Sequence, residues 1–298
     1  MSTVVDVEPA VAVPVAPSGH KLPAARRTPT SYGVLCAMTV LVLVVLAPFL
    51  VILVNAFKAP SDFAAHGPLG WPHSLHLKTV VNFWNSSDFG GKLVNSLEIS
   101  FAVAVLGVLV SVFNAYALGI GRVRGRTAFL VFLLLANVLP QEGLVYPLYY
   151  MAKQVGLYDS KWAIVIIFTV IQSAFGTYLL SSVYAAFPRE LIEAAAIDGA
   201  GTWRTLWRVV VPVSLPTLSV LFTFFFIWTW NEFLLPLIFL ISNSNQTVPV
   251  ALAQLQGEHT TDITGTAASS LLGIVPAIVF FLIFQRTLTR GVAVGSVK

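Results

Sequence analysis

The chain has 298 residues, of which 57% are hydrophobic and only 10% are charged, with a formal net charge of +4. Soluble domains carry about 25% charged residues, so this composition excludes an ordinary soluble protein and predicts helices that face lipid. Its single cysteine, Cys36, excludes an intramolecular disulfide, a paired-cysteine zinc site and an iron–sulfur cluster built from this chain alone.

The N-terminal residues 1–31 contain five prolines among alanine and valine and have little periodicity. Such a composition is typical of disorder, so residues 1–31 are predicted to form a disordered arm. The apolar run that follows starts too late and is too long for a cleaved signal peptide. It therefore predicts a permanent membrane span.

Six apolar stretches are long enough to cross a bilayer, which requires about 20 mainly apolar residues. They lie near residues 33–56, 94–118, 127–150, 162–185, 214–241 and 269–286. The sequence therefore predicts an all-α integral membrane protein in which residues 32–298 form one domain of six transmembrane helices.

Lysine and arginine are distributed unevenly between the connections of these spans. Twelve lie in the N-terminal arm, the second-to-third and fourth-to-fifth connections and the C-terminal end, whereas five lie in the alternate loops. All ten arginines belong to the first group. Because cytoplasmic loops carry an excess of these residues, both termini are predicted to be cytoplasmic.

The connection between the fourth and fifth spans predicts two short helices. Pro188 suits a first helical turn, the glutamates that follow suit the positive end of the helix dipole, and Gly199 supplies a stop. Thr202 can then cap the second helix. From this local chemistry alone, an amphipathic helix that lies on the cytoplasmic membrane surface is an equal alternative.

The spacing in this connection resembles the cytoplasmic signature of the permease subunits of binding-protein-dependent ABC importers. That signature is Glu-Ala-Ala, three residues, Gly, nine residues and Ile-x-Leu-Pro, and here Val209 and Val211 replace the isoleucine and leucine. The resemblance implies that residues 188–212 form a coupling loop seated in a groove of an ATPase subunit. The coupling residues that it implies are Glu193, Ala194, Ala195, Asp198, Gly199 and Pro212.

Further segments resemble the carbohydrate-uptake class of this family and its maltose-type second permease (MalG-like). Residues 225–236 look like the fifth-span signature, residues 140–158 follow the same pattern, and residues 285–298 resemble the tail. The resemblance implies a MetI-like permease fold in the bacterial inner membrane. It also implies that the C-terminal tail contacts the ATPase subunits through Gly295, Ser296, Val297 and Lys298, for which a frayed terminus is the alternative.

The resemblance also implies the partners of the chain. These are a second homologous permease in a heterodimer, two ATP-binding subunits that use ATP and Mg²⁺, an external solute-binding protein and membrane lipid, without nucleic acid. The chain has no Gly-x-x-x-x-Gly-Lys-Ser/Thr loop, so it is predicted to be non-catalytic and to bind no cofactor. Its five histidines lie in arms and loops without a carboxylate at helical spacing, so no metal site is predicted.

Polar side chains inside apolar spans are costly and mark candidate positions on a substrate pathway. The predicted pathway residues are Asn137, Gln141, Glu142, Phe225, Trp228, Asn231 and Glu232. Amides and carboxylates beside aromatic rings suit a sugar, and spans without basic residues disfavour a strongly anionic cargo. The aromatic residues are alternatively interface or packing residues.

Together these patterns predict the permease subunit of an ABC importer that forms half of the pathway for a sugar or oligosaccharide. A polyamine or similar cation is the alternative cargo, because carboxylates and aromatic rings suit cations equally. An ion-coupled secondary carrier would require inverted repeats, and a membrane-embedded enzyme would require catalytic groups clustered near one interface.

Overall fold

The computed structural model describes residues 29–121, 123–258 and 262–294, with side chains described within 32–254 and 262–286. No β-strand occurs in these ranges. The α-helices are α1 (Pro29–Ala56), α2 (Pro60–His66), α3 (Lys78–Ser86), α4 (Phe89–Ala115), α5 (Arg126–Val138), α6 (Gln141–Gln154), α7 (Lys161–Ala185), α8 (Arg189–Ile197), α9 (Thr202–Thr205), α10 (Val211–Trp230), α11 (Leu234–Phe239), α12 (Val248–Glu258) and α13 (Ile263–Val294). Two π-helical turns, Tyr116–Ile120 and Leu206–Val210, and a 3₁₀ turn, Asn243–Asn245, complete the helical segments.

Helix α1 is the first apolar segment. It begins at Pro29, a residue suited to the first helical turn because an N–H there would lack a partner. The last residues of the predicted disordered arm therefore belong to this helix, and residues 1–28 lie outside the described residues. Side chains from Tyr32 to Leu50 are exposed, and so large an apolar surface requires lipid or a partner.

The chain divides after Pro48 into two units, and the helices from Phe49 onward form the second of them. In the described chain, five helical segments are long and apolar enough to cross a membrane alone: Tyr32–Ala56, Phe89–Ile120, Lys161–Ala185, Thr202–Trp230 and Ile263–Arg286. Helices α5 and α6 pass the same test together, which gives up to six spans.

The predicted third span, 127–150, is not one continuous helix. Helices α5 and α6 are bent by 96° at a short break. Leu139 there is extended, with φ −64° and ψ 127°. The next residue, Pro140, disfavours the helical conformation of the residue before it and has no N–H to continue the helix.

Contacts at both ends of α4 and α7 indicate that α5 and α6 nevertheless traverse the bundle. At one end, Lys161 Nζ lies 2.5 Å from Glu98 Oε2 and 3.2 Å from Asn95 Oδ1. At the other end, a Cβ on Gly119 would lie 2.7 Å from the Tyr184 Cβ. Helices α4 and α7 therefore run parallel, and the chain between them has to cross from one end to the other.

We call these ends the Lys161 end and the Tyr184 end. At the Lys161 end, Asn95 Nδ2 donates to the carbonyl oxygens of Ser244 and Gln246 at 2.7 and 3.0 Å. Helix α4 begins five residues before the predicted span, so Lys92 lies inside it, buried, and donates to Asn243 Oδ1 at 2.6 Å. Polar partners thus satisfy a buried cation that the span prediction had left outside the helix.

The core forms where α4, α7 and α10 pack together. Phe225 of α10 is fully buried there between Gly107 of α4 and Gly176 of α7. A Cβ on Gly107 would lie 2.9 Å from the Phe225 ring, and one on Gly176 would lie 2.8 Å from it. Small residues allow membrane helices to approach closely, so these two glycines create the space that the ring fills.

Helix α13 runs antiparallel to α10 and covers a further side of it. The ring centroids of Trp230 and Phe280 are 4.7 Å apart, and those of Phe222 and Phe284 are 6.3 Å apart. Pairs of this kind are worth about 0.5–1.5 kcal/mol beyond the area that they bury. Aromatic contacts therefore hold the last span against the core.

Asp159 joins the turn between α6 and α7 to the segment after α11. Its carboxylate accepts hydrogen bonds from the Ser242 N–H at 3.0 Å and from the Ser242 hydroxyl, and its carbonyl accepts one from Asn245 Nδ2 at 2.7 Å. The hydroxyl of Ser242 and the accompanying donors lower the pKa of Asp159, because they stabilise its charged form.

We expect Asp159→Asn to lower the thermal unfolding midpoint of the purified protein at neutral pH. Asparagine tolerates the positive φ of 58° at this position, so the change isolates the carboxylate. Because the folded-state pKa is depressed, the stabilisation is present above the unfolded-state pKa of about 3.9 and is lost as pH falls through the folded-state value. Scanning fluorimetry from about pH 7 to about pH 3 measures the difference in unfolding midpoint between the wild type and the variant.

The exposed carboxylate of Asp198 provides the control for this pH series. We expect Asp198→Asn to follow the wild-type unfolding curve throughout. If Asp159→Asn lowered the unfolding midpoint by the same amount at the acid end of the pH range, the stabilisation would not come from the ionised carboxylate of Asp159.

Candidate functional site

A cavity of about 670 Å³ lies between α7 and the broken pair of helices α5 and α6. Leu139 and Pro140 at the break belong to its wall. Its polar lining comprises Asn114, Asn137, Gln141, Glu142, Gln172, Ser173 and Thr177, and its aromatic lining comprises Phe132, Phe168 and Trp228. The lining contains no lysine or arginine, and Glu142 is its one charged residue.

Four of the predicted pathway residues line this cavity. Asn137 comes before the break, and Gln141 and Glu142 come directly after it, so the bend places all three on the same wall. Trp228 contributes from α10, with its ring edge-on to Phe175 at a centroid distance of 5.9 Å. The break that the sequence did not predict is thus what gathers the predicted residues.

The other three predicted pathway residues do not line this cavity. Phe225 is buried in the helix packing, as described above. Asn231 ends α10, and its Nδ2 donates to the carbonyl of Ile227 at 2.8 Å. The Glu232 carboxylate lies against the first backbone N–H groups of α11, where negative charge is favoured. Packing and local capping account for all three placements.

Gln172 is a site residue that was not predicted. Its Nε2 donates to Thr229 Oγ1 of α10 at 2.9 Å, and the residue is buried. An amide in the middle of the fourth apolar span was a signal for such a role. Asn114, Ser173 and Thr177 were also not predicted, because small polar residues are common in membrane helix packing.

Gln141 and Gln172 each have a carbonyl oxygen without a hydrogen-bond partner. Both Oε1 atoms are buried and unpaired within the described part of the chain. Most buried polar atoms are paired, and leaving one unpaired costs about 1–3 kcal/mol. Both residues line the cavity, so rotation of either side-chain amide would turn its acceptor towards a ligand with hydroxyl donors.

The connection predicted to couple to an ATPase forms an exposed surface at the Tyr184 end. A groove of about 370 Å³ beside α8 is lined by Arg126, Arg189 and Glu193, among others. The Tyr116 hydroxyl donates to the carbonyl of Thr202 at 3.3 Å. The second-to-third and fourth-to-fifth connections therefore lie at the same end of the bundle.

The predicted coupling residues differ in their exposure. Glu193, Ala194, Asp198 and Gly199 are exposed, and so is Pro212 at the start of α10. Ala195 is buried, with only 8% of its surface exposed. Ile197, which was not predicted, is 86% exposed. A large apolar side chain this exposed is available to a partner.

Gly199 ends α8 in a left-handed conformation with φ +70°. The Gly199 N–H donates to the carbonyl of Ala196 at 3.1 Å, and the Ala200 N–H donates to that of Ala195 at 2.9 Å. These two bonds form a Schellman motif, which favours glycine at this position. The predicted tail contact through Gly295, Ser296, Val297 and Lys298 lies outside the described residues.

Residues 35–294 match the family described as "Binding-protein-dependent transport system inner membrane component". The chain is 32% identical to the sn-glycerol-3-phosphate transport system permease protein UgpE of Yersinia pestis, over 84% of this chain and 91% of the relative. It is 25% identical to the diacetylchitobiose uptake system permease protein NgcG of Streptomyces coelicolor, over 86% of this chain and 85% of the relative.

A solved structure of a bacterial ABC transporter involved in the import of the acidic polysaccharide alginate contains a similar chain. The TM-score is 0.72 at 21% sequence identity, and the match covers 89% of this chain and 99% of that chain. At this identity the likeness establishes a shared fold.

Proposed function

Since the chain belongs to the family of binding-protein-dependent transport system inner membrane components, we propose that it forms half of the pathway for a sugar or oligosaccharide in an ABC importer. The observation that carries the choice of cargo is the cavity, with unpaired amide acceptors beside aromatic rings. Sugar hydroxyls donate to such acceptors, and sugar C–H faces pack on rings. The chain is a multi-pass membrane permease.

A neutral sugar fits the cavity better than an anionic one. UgpE is named for sn-glycerol 3-phosphate, an anion, whereas NgcG is named for diacetylchitobiose, a neutral disaccharide. Phosphate and carboxylate are typically recognised by arginine or lysine. The cavity lining has neither and carries the carboxylate of Glu142, which would repel an anion. A polyamine is the second candidate, because Glu142 and Trp228 together suit a cation.

The partners follow from the same proposal. A second permease completes the pathway, two ATP-binding subunits use ATP and Mg²⁺, and a solute-binding protein delivers the cargo. This chain is then non-catalytic and binds no cofactor. The exposed face of α8, with Ile197 at its end, supports a docking surface for an ATP-binding subunit.

The Tyr184 end is proposed to face the cytoplasm of a bacterial cell, with both termini on that side. Arg126 and Arg189 line the same groove beside α8 at this end. Every arginine of the chain lies in the arm, a connection or the C-terminal end that is assigned to that side. Because cytoplasmic loops carry an excess of arginine and lysine, this distribution supports the orientation.

Reconstitution of the complete importer in proteoliposomes tests the proposed function. The solute-binding protein is added loaded with a neutral oligosaccharide, an acidic sugar or a polyamine, and ATP hydrolysis is measured. We expect the neutral oligosaccharide to give the strongest stimulation. Stimulation by the polyamine-loaded protein alone would overturn the sugar assignment, and stimulation by no loaded protein would overturn the importer assignment.

A further inference from the structure

A cluster of two histidines and one aspartate lies in the connection between α1 and α4, away from the cavity. Asp62 and His66 are four residues apart on α2 and share a face. The prediction that no histidine has a carboxylate at helical spacing is therefore wrong for His66. His73 joins them from the loop that follows. Asp62 Oδ1 lies 2.8 Å from His66 Nδ1 and 2.9 Å from His73 Nδ1.

The three donor atoms lie close to the spacing that a metal ion requires. They all lie within 4.8 Å of one another, and the two imidazole centroids are 4.4 Å apart. Tetrahedral Zn²⁺ with nitrogen and oxygen ligands at about 2.0–2.2 Å sets its donors about 3.3 Å apart. Small side-chain shifts would therefore place one ion at bonding distance from all three.

The loop that carries the cluster is anchored independently of it. Lys58 is fully buried, and its Nζ donates to the carbonyl of Gly67 at 2.8 Å. Asn55 is also buried and donates to the carbonyl of Pro68 at 2.9 Å. These bonds hold the chain after α2 against the end of α1, so binding an ion would need little further ordering.

The ligands are also oriented and accessible. Asp62 Oδ2 accepts a hydrogen bond from the backbone N–H of His73 at 3.1 Å, as the outer-shell bonds of metal-ligating carboxylates do. The side chains of His66 and His73 are 48% and 68% exposed.

We propose that Asp62, His66 and His73 form a binding site for a divalent transition metal of the zinc type. Two imidazoles and one carboxylate are the ligand set that suits Zn²⁺, with the fourth position left to water. The bound ion would replace the hydrogen bonds between the carboxylate and the imidazoles. It would fasten the His73 segment to α2 at the Lys161 end of the permease.

Zn²⁺ binding to the assembled permease complex tests this proposal. The complex is purified through a tag without histidine, stripped with a chelator, and titrated with Zn²⁺ by isothermal titration calorimetry. We expect one high-affinity site per chain, weakened at least about tenfold by His66→Ala or His73→Ala. His76→Ala is the matched control, because this histidine lies in the same connection but outside the cluster, and it should bind as the wild type does.

Cobalt provides a second measurement that does not depend on stability. Co²⁺ bound by two imidazoles and a carboxylate is expected to absorb in the visible range in the wild type and in His76→Ala, and the band is expected to be absent in the His66→Ala, His73→Ala double variant. A stoichiometric Zn²⁺ that the double variant binds equally well, or a wild-type complex without a high-affinity site, would overturn the proposal.

Discussion

Gly199→Ala is expected to reduce the ATP hydrolysis stimulated by the loaded solute-binding protein by about fivefold or more, whereas Gly201→Ala is expected to leave it unchanged. Both positions have open space where a Cβ would be placed. Only Gly199 has the left-handed conformation, with φ +70° against −67° at Gly201. Alanine in that conformation costs about 1–2 kcal/mol, so Gly199→Ala would disturb the turn that sets α8 relative to α9.

Gly125→Ala separates coupling from strain in this experiment. Gly125 has φ +80°, also with open space around it, and lies in the second-to-third connection. It therefore carries the same backbone cost outside the proposed coupling loop. All three variants are compared in proteoliposomes for stimulated ATP hydrolysis and for co-purification with the ATP-binding subunits. Equal losses in Gly125→Ala and Gly199→Ala would contradict a specific coupling role.

A continuous helical path leads from this loop to the cavity. Helix α9 passes through the π-helical turn Leu206–Val210 directly into α10, and α10 carries both Trp228 and Thr229. Trp228 lines the cavity, and Thr229 accepts the hydrogen bond of Gln172. A displacement of α8 that passes the Gly199 turn to α9 can therefore reach cavity residues along one continuous helical segment.

The long spans could be predicted from the sequence, because apolar length alone determines them. The break between α5 and α6 could not. Pro147 lies inside the continuous helix α6 and Pro216 inside α10, so a proline in an apolar run does not by itself end a helix. What distinguishes Pro140 is the extended backbone of Leu139, which the position of a proline in an apolar run does not specify.

The site was predictable where chemistry was local and unpredictable where it depended on packing. Asn137, Gln141 and Glu142 are polar groups in an apolar span, and that signal identified lining residues. Phe225 instead packs in the core because two glycines in other helices leave space for its ring. The sequence pattern along α10 does not contain that information. Periodicity gives the faces of a helix but does not indicate which face meets a cavity.

Gln172→Leu and Gln141→Leu are expected to slow uptake of the sugar about two- to tenfold each in proteoliposomes that contain the complete importer. Each change removes a side-chain amide of the cavity wall whose Oε1 has no protein partner within the described chain, and a hydrogen bond to a ligand hydroxyl is worth about 0.5–1.5 kcal/mol. Gln172→Leu also removes the hydrogen bond to Thr229. Uptake of radiolabelled sugar at a saturating concentration of loaded binding protein measures the effect.

Thr169→Val is the matched control for this pair, because it separates a missing ligand contact from a buried polar group of any kind. Thr169 lies on α7 near Gln172, and its Oγ1 is also buried without a partner, but the residue does not line the cavity. Removing an unpaired hydroxyl relieves a desolvation cost, so this variant is expected to transport at the wild-type rate and to be at least as stable. If both glutamine variants also transported at the wild-type rate, the amide carbonyls would not contact the cargo, and the cavity would lose its role in the pathway.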